Sequence, residues 1–163
     1  MRRATLLIIS VFAVLGLTTQ SALAATSGAH FFSSTSSVND SGALVVAWDE
    51  AGLGNENINY TLTADATATY ACINNGGNHP KAANKETVQG SVSTGGSFQA
   101  KNGRVKASLT TGPLQDPSFT CPSGQTRILA LVSYSNIVLT DTSNNVATSP
   151  PDVCRSFSSL FPC

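Results

Sequence analysis

From Ile58 to Cys72 the chain alternates almost without interruption. Even positions carry Ile58, Tyr60, Leu62, Ala64, Ala66, Ala68, Tyr70 and Cys72, while Asn59, Thr61, Thr63, Asp65, Thr67 and Thr69 lie between them. Apolar residues at period two with threonine opposite predict a strand buried on one face, and they exclude an amphipathic helix over this stretch. At ~3.3 Å per residue the run would extend roughly 50 Å, longer than ordinary strands, so a bend is expected near Ala64-Asp65-Ala66. Such a strand needs a second layer to cover its apolar face.

The rest of the chain supplies candidates for that layer. Leu44, Val46 and Trp48 alternate ahead of a turn containing Gly52, Gly54 and Asn55, and Val88 and Val92 share a face further on. Ser97–Ala100 and Arg104–Thr110 flank Lys101-Asn102-Gly103, and Asn-Gly is the strongest short hairpin signal. Ile128–Val132 is apolar on both faces, as a central strand is. The apolar parity then shifts between Tyr134 and Ile137, which predicts a bulge near Ser135-Asn136. Asp141–Asn145 reads as a turn into Val146-Ala147-Thr148, and Pro150-Pro151 reads as the end of regular structure. Short strands separated by turns, with no helical stripe, predict an all-β antiparallel β-sandwich, immunoglobulin-like and in one domain. Trp48 precedes both Cys72 and Cys121, whereas an immunoglobulin domain has its tryptophan between the bridging cysteines.

The N-terminus carries a targeting pattern. Met1-Arg2-Arg3 is a short positive region, Leu6–Leu17 is nearly all apolar, and Ala22-Leu23-Ala24 fits a signal-peptidase site. Residues 1–24 are therefore expected to be a signal peptide, cleaved before Ala25, with the mature chain secreted. The apolar run is shorter than the ~20 residues that span a bilayer, so no stable membrane anchor is expected. The expected organisation continues with a flexible Ser/Thr-rich arm over 25–42 and a sandwich over 43–149. A tail bracketed by cysteines then covers 150–163.

All four cysteines, Cys72, Cys121, Cys154 and Cys163, lie beyond the leader, where disulfides persist. Three pairings are open to four cysteines. The preferred one joins Cys72 to Cys121, because one ends a core strand and the other precedes another, and leaves Cys154 to Cys163 across the tail. There is no C-x-x-C pair and there are only two histidines, so zinc is not expected.

Charge restricts function. Nine Lys+Arg balance nine Asp+Glu, and Arg2 and Arg3 fall in the leader, so the exported part leans acidic. Electrostatic capture of nucleic acid needs a basic surface, and none is expected.

The stretch Asn59-Tyr60-Thr61-Leu62-Thr63-Ala64-Asp65-Ala66-Thr67-Ala68-Thr69-Tyr70-Ala71-Cys72 resembles a hallmark of a group of small secreted bacterial proteins. The similarity extends to Ala82-Ala83-Asn84-Lys85, Cys121-Pro122-Ser123-Gly124-Gln125 and Val132-Ser133-Tyr134-Ser135-Asn136. The group carries no assigned activity, so the resemblance implies secretion and no chemistry. The Cys154–Cys163 tail lies outside it, in keeping with a local bridge there.

Candidate sites are few. The long segment Ile73–Glu86 contains Asn74, Asn75, Asn78, His79 and Lys81, whose amides, imidazole and ammonium suit sugar hydroxyls or a carboxylate, with Tyr70 as a stacking face. The expected partner is an extracellular glycan or protein; equally, the segment reads as a solvated loop. His79 and His30 have no G-x-S-x-G elbow to serve, so a catalytic triad is not expected. Asp49-Glu50, Glu56 and Asp65 are the carboxylates from which a glycosidase pair would be drawn. Calcium ligands are available from Asp141, Ser143, Asn144 and Asn145, or from Asp49, Glu50, Asn55 and Glu56. Turn-forming Asx chemistry accounts for both segments without a metal. Asn39-Asp40-Ser41 and Asn59-Tyr60-Thr61 match the glycosylation acceptor, which matters only in a host that glycosylates. No catalytic residue, metal or cofactor is assigned, and the expected function is a secreted non-catalytic binding or surface module. A structural envelope protein and a small glycan hydrolase are the alternatives.

Overall fold

The computed structural model describes residues 28–74 and 84–163. Its strands are β1 (His30–Val38), β2 (Leu44–Ala51), β3 (Asn57–Asn74), β4 (Lys85–Gln99), β5 (Arg104–Thr111), β6 (Gln125–Asp141), β7 (Val146–Thr148) and β8 (Val153–Ser156). There is no helix among the described residues. A three-stranded sheet in the order β1-β2-β5 faces a five-stranded one in the order β4-β3-β6-β7, with β8 also on β6. Every pairing is antiparallel. The molecule is a β-sandwich.

The alternating run became β3, the centre of the larger sheet. Ile58, Tyr60, Leu62, Ala64, Ala66, Ala68, Tyr70 and Cys72 are all buried. The residues from Ile58 to Tyr70 in this series pack against Leu44, Val46 and Trp48 of β2 and Val105 and Leu109 of β5 in one core. Trp48 fixes the contact between layers, its ring 4.7 Å from Tyr60 and 5.2 Å edge-on from Phe98 of β4. Burial of such rings and aliphatic chains stabilises by about 1.5–3 kcal/mol each.

The expected bulge lies where the parity shifts. Thr63 pairs with Val138 and Asp65 with Ser135, so Ala64 faces the surplus residues of β6, and Asn136 takes φ 50°. The Asn-Gly turn joins β4 to β5 across the edge of the sandwich, so it is a corner from one sheet to the other and not the paired hairpin its sequence suggests; Lys101↔Arg104 is its one bridge. Lys101 and Arg104 exchange backbone hydrogen bonds of 2.9 and 3.1 Å, with Asn102 at φ 52° and Gly103 at φ 72°. Both bridges form as preferred, Cys72 to Cys121 and Cys154 to Cys163. The first joins β3 to the loop entering β6, two neighbours in one sheet, whereas the immunoglobulin bridge links sheet to sheet.

Two boundaries differ from expectation. Residues 30–38 are not a flexible arm but strand β1, paired along β2 from His30↔Ala51 to Val38↔Leu44. Its serines suit a strand because their hydroxyls find partners in the facing sheet: Ser34 Oγ meets Thr148 Oγ1 at 3.0 Å, and Ser36 Oγ donates to the Pro151 carbonyl. Nor does the regular structure end at Pro150-Pro151. Val153–Ser156 form β8 on the half of β6 that β7 leaves open, and Val153 and Phe157 pack on the core. Arg155 then donates to the Val38 carbonyl (2.9 Å) and to Asp40, joining the tail to the β1 end. The expected leader, residues 1–24, lies outside the described residues.

Candidate functional site

Of the residues chosen from sequence, Asn75, Asn78, His79 and Lys81 lie outside the described residues. Asn74 is exposed at the end of β3, opposite Gln125. Tyr70 offers no stacking face to a ligand. It is 5% exposed, its hydroxyl donates to the Leu114 carbonyl (2.8 Å), and the Arg127 guanidinium covers its ring at 4.1 Å. Its inward register on β3 places it in the core.

The carboxylates separate by strand geometry. Adjacent residues of a strand point to opposite faces, so Asp49 projects outward while Glu50 continues the buried series Leu44, Val46, Trp48. Asp65 is on the outer face of the other sheet, where it accepts from Ser91 Oγ (3.1 Å) and Asn136 Nδ2 (2.8 Å). Those bonds hold its carboxyl below the usual range. Asp49 and Asp65 thus occupy opposite surfaces of the molecule and form no pair.

Glu50 and Asp141 do come together, but inside. Both are 0% exposed, one from each sheet. Tyr60 donates its hydroxyl to Glu50 Oε2 at 2.7 Å, and Glu50 Oε1 has no donor. Burial pushes the Glu50 carboxyl up to about 7; the Tyr60 hydrogen bond opposes this and the nearby Asp141 adds to it. Asp141 is meanwhile engaged by its own turn: Oδ1 accepts from the Ser143 and Asn144 N–H groups at 2.8 and 2.9 Å, and Oδ2 from Asn144 Nδ2. That is the Asx arrangement. Among the described residues no group of three or more His, Cys, Asp or Glu side chains is placed to hold a metal. A raised carboxyl sealed between two sheets has the proton of a general acid without access to a glycosidic oxygen, since catalysis needs hydrogen-bond reach to the substrate.

The exposed side chains converge elsewhere, at a corner the sequence did not single out. The register of β1 slips between Phe31 and Ser33, and this bulge carries Phe32 outward to 73% exposure while Phe31 packs on the core. The Arg104 guanidinium lies 5.7 Å from the Phe32 ring centre. Arg104 also grips Asp49 with two nitrogens, and Lys106 reaches the same carboxylate at 3.3 Å. Asp49 is held below the ordinary carboxylate range chiefly by Arg104. Around the edge of β5 a shallow cleft of about 410 Å³ opens, lined by Phe98, Gln99, Lys101, Arg104, Val105 and Lys106. The corner therefore offers a bare aromatic ring, three cations and one carboxylate. The alternation of Arg104 and Lys106 in β5 and the Phe31-Phe32 pair were its signals in the sequence. No family model, curated protein or solved structure matches the chain.

Proposed function

We propose that the chain is a secreted, non-catalytic binding module that meets an extracellular glycan or protein at the Phe32–Arg104 corner. The observation that carries this reading is Phe32. An aromatic side chain turned out of a strand by a bulge, left 73% exposed beside a guanidinium, costs solvation that a bound partner recovers. The sealing of Glu50 and Asp141 weighs against the hydrolase alternative. Secretion is supported by the leader pattern of residues 1–24 and by two disulfides, which persist outside the reducing cytosol. The immunoglobulin-like reading is supported by the two packed antiparallel layers, while the long strands and a bridge within one sheet depart from that fold.

A thermal-shift screen of the oxidised protein against pooled oligosaccharides tests the reading. A ligand at a hundred times its Kd stabilises by about 2.7 kcal/mol, a rise of several degrees. The expected result is a hit that Phe32→Ala abolishes. A hit untouched by Phe32→Ala moves the site away from this corner, and a flat response across sugars and candidate protein partners favours the envelope role.

A further inference from the structure

Resting on that reading, we infer that the corner recognises an acidic polysaccharide, one bearing carboxylate or sulfate groups on its sugar rings. The placement of its cations is the reason. Lys101 and Arg104 close the Asn-Gly turn and stand directly opposite one another, which puts their Cβ atoms on one face about 5 Å apart. Lys106 follows Arg104 by two residues on the same face of β5, roughly 7 Å along the strand. Like charges directly across a ladder repel. The fold offsets this only in part: Asp49 takes Arg104 and Lys106, and no carboxylate among the described residues pairs with Lys101. Glu56 meets the turn through its backbone carbonyl, which accepts from the Ala100 N–H at 3.0 Å, and Lys101 is left without a carboxylate partner among the described residues. An anion entering the cleft would relieve the repulsion.

The remaining surface selects sugar over protein. A specific protein interface buries about 800 Å² per partner around an apolar centre. Among the described residues, Phe32 and Leu160 are the large hydrophobics left exposed, and Leu160 belongs to the tail. One isolated ring suits the C–H face of a pyranose, and the cations with Gln99 suit its acid and hydroxyl groups. A chain of sugar acids can run from Phe32 across β2 to Lys101, engaging each in turn.

The test is fluorescence polarisation of the full secreted protein with labelled polygalacturonate oligomers and a sulfated polysaccharide. Neutral dextran oligomers and polyglutamate serve as comparators. The expected result is binding to the acidic sugars that weakens steeply between 50 and 300 mM salt, as screening predicts. Lys101→Gln should weaken it about tenfold and Phe32→Ala at least as much, with Lys85→Gln, outside the corner, without effect. Equal binding of dextran, abolished by Phe32→Ala, overturns the acidic-sugar inference and leaves the binding reading standing. Polyglutamate binding as tightly as polygalacturonate overturns it in favour of an acidic protein partner. Acidic-sugar binding indifferent to both Lys101→Gln and Phe32→Ala overturns the site itself.

Discussion

Glu50 occupies its position because of register. In β2 the inward places fall at Leu44, Val46, Trp48 and Glu50, and the pleat turns the fourth inward as it does the first three. Oε1 has no donor among its neighbours, so burial favours the protonated carboxyl. Tyr60 from β3, Asp141 from β6 and His30 from β1 are the titratable groups whose fields it feels. Its carboxyl is raised from 4.5 to about 7, first by burial. Between those values the folded protein keeps a proton that the unfolded chain releases. Stability is therefore greatest below pH 4.5 and declines as pH rises through 7, by about 3 kcal/mol from this group. Glu50→Gln retains an acceptor for Tyr60 and removes the charge. Urea midpoints at pH 5 and pH 8 should differ markedly for the parent and much less for Glu50→Gln, with the variant the more stable at pH 8. Equal pH dependence in the two proteins would show that Glu50 does not carry it.

At the scale of elements, the Asn-Gly turn and β1 mark how far the sequence could be read. The Asn-Gly turn is dictated locally: both central residues need positive φ, and asparagine and glycine tolerate it best. Gly103 is doubly constrained, since a Cβ there would lie 2.8 Å from the Leu53 carbonyl oxygen. Gly103→Ala should lower unfolding free energy by about 1–3 kcal/mol, whereas Asn102→Gly should be nearly neutral. A Gly103→Ala midpoint equal to the parent's would contradict the close approach. The period of β3, the bulge in β6 and this turn were legible because each is written in a few adjacent residues. Strand β1 was not, because serine and threonine serve a loop as well as a strand, and its pairing with β2 and its contacts to Thr148 and Pro151 from the distant end of the chain decide between them. The corner was missed for a related reason. Arg104 and Lys106 look like the solvated face of any strand, and Phe32 turns outward through a register slip that no local pattern announces.

The whole molecule is asymmetric at its two seams, and the disulfides follow that asymmetry. On one side β1 meets β7 and β8 through Ser34, Ser36 and Arg155, which joins the sheets with hydrogen bonds. On the other, β5 and β4 are joined by the Asn102-Gly103 turn and a long Thr111 contact to the Ser93 carbonyl, and there the cationic cleft opens. The corner proposed for binding lies at this second seam, while the tail spans the first. Cys154 anchors that tail from within β8, and its bridge closes a separation of 9 residues; Cys72–Cys121 closes one of 49. Loop-closure entropy then ranks the two, at about 4 kcal/mol for the long bridge and under 3 kcal/mol for the short one. Cys72 is also buried, so replacing it disturbs core packing, while Cys154 and Cys163 are exposed. The Cys72→Ser/Cys121→Ser variant should therefore lose more stability in denaturant than Cys154→Ser/Cys163→Ser. The short-bridge variant should keep the cooperative transition and the binding proposed for the distant corner. The reverse ranking would mean that the tail, and not the β3–β6 pair, is the principal clamp of the sandwich.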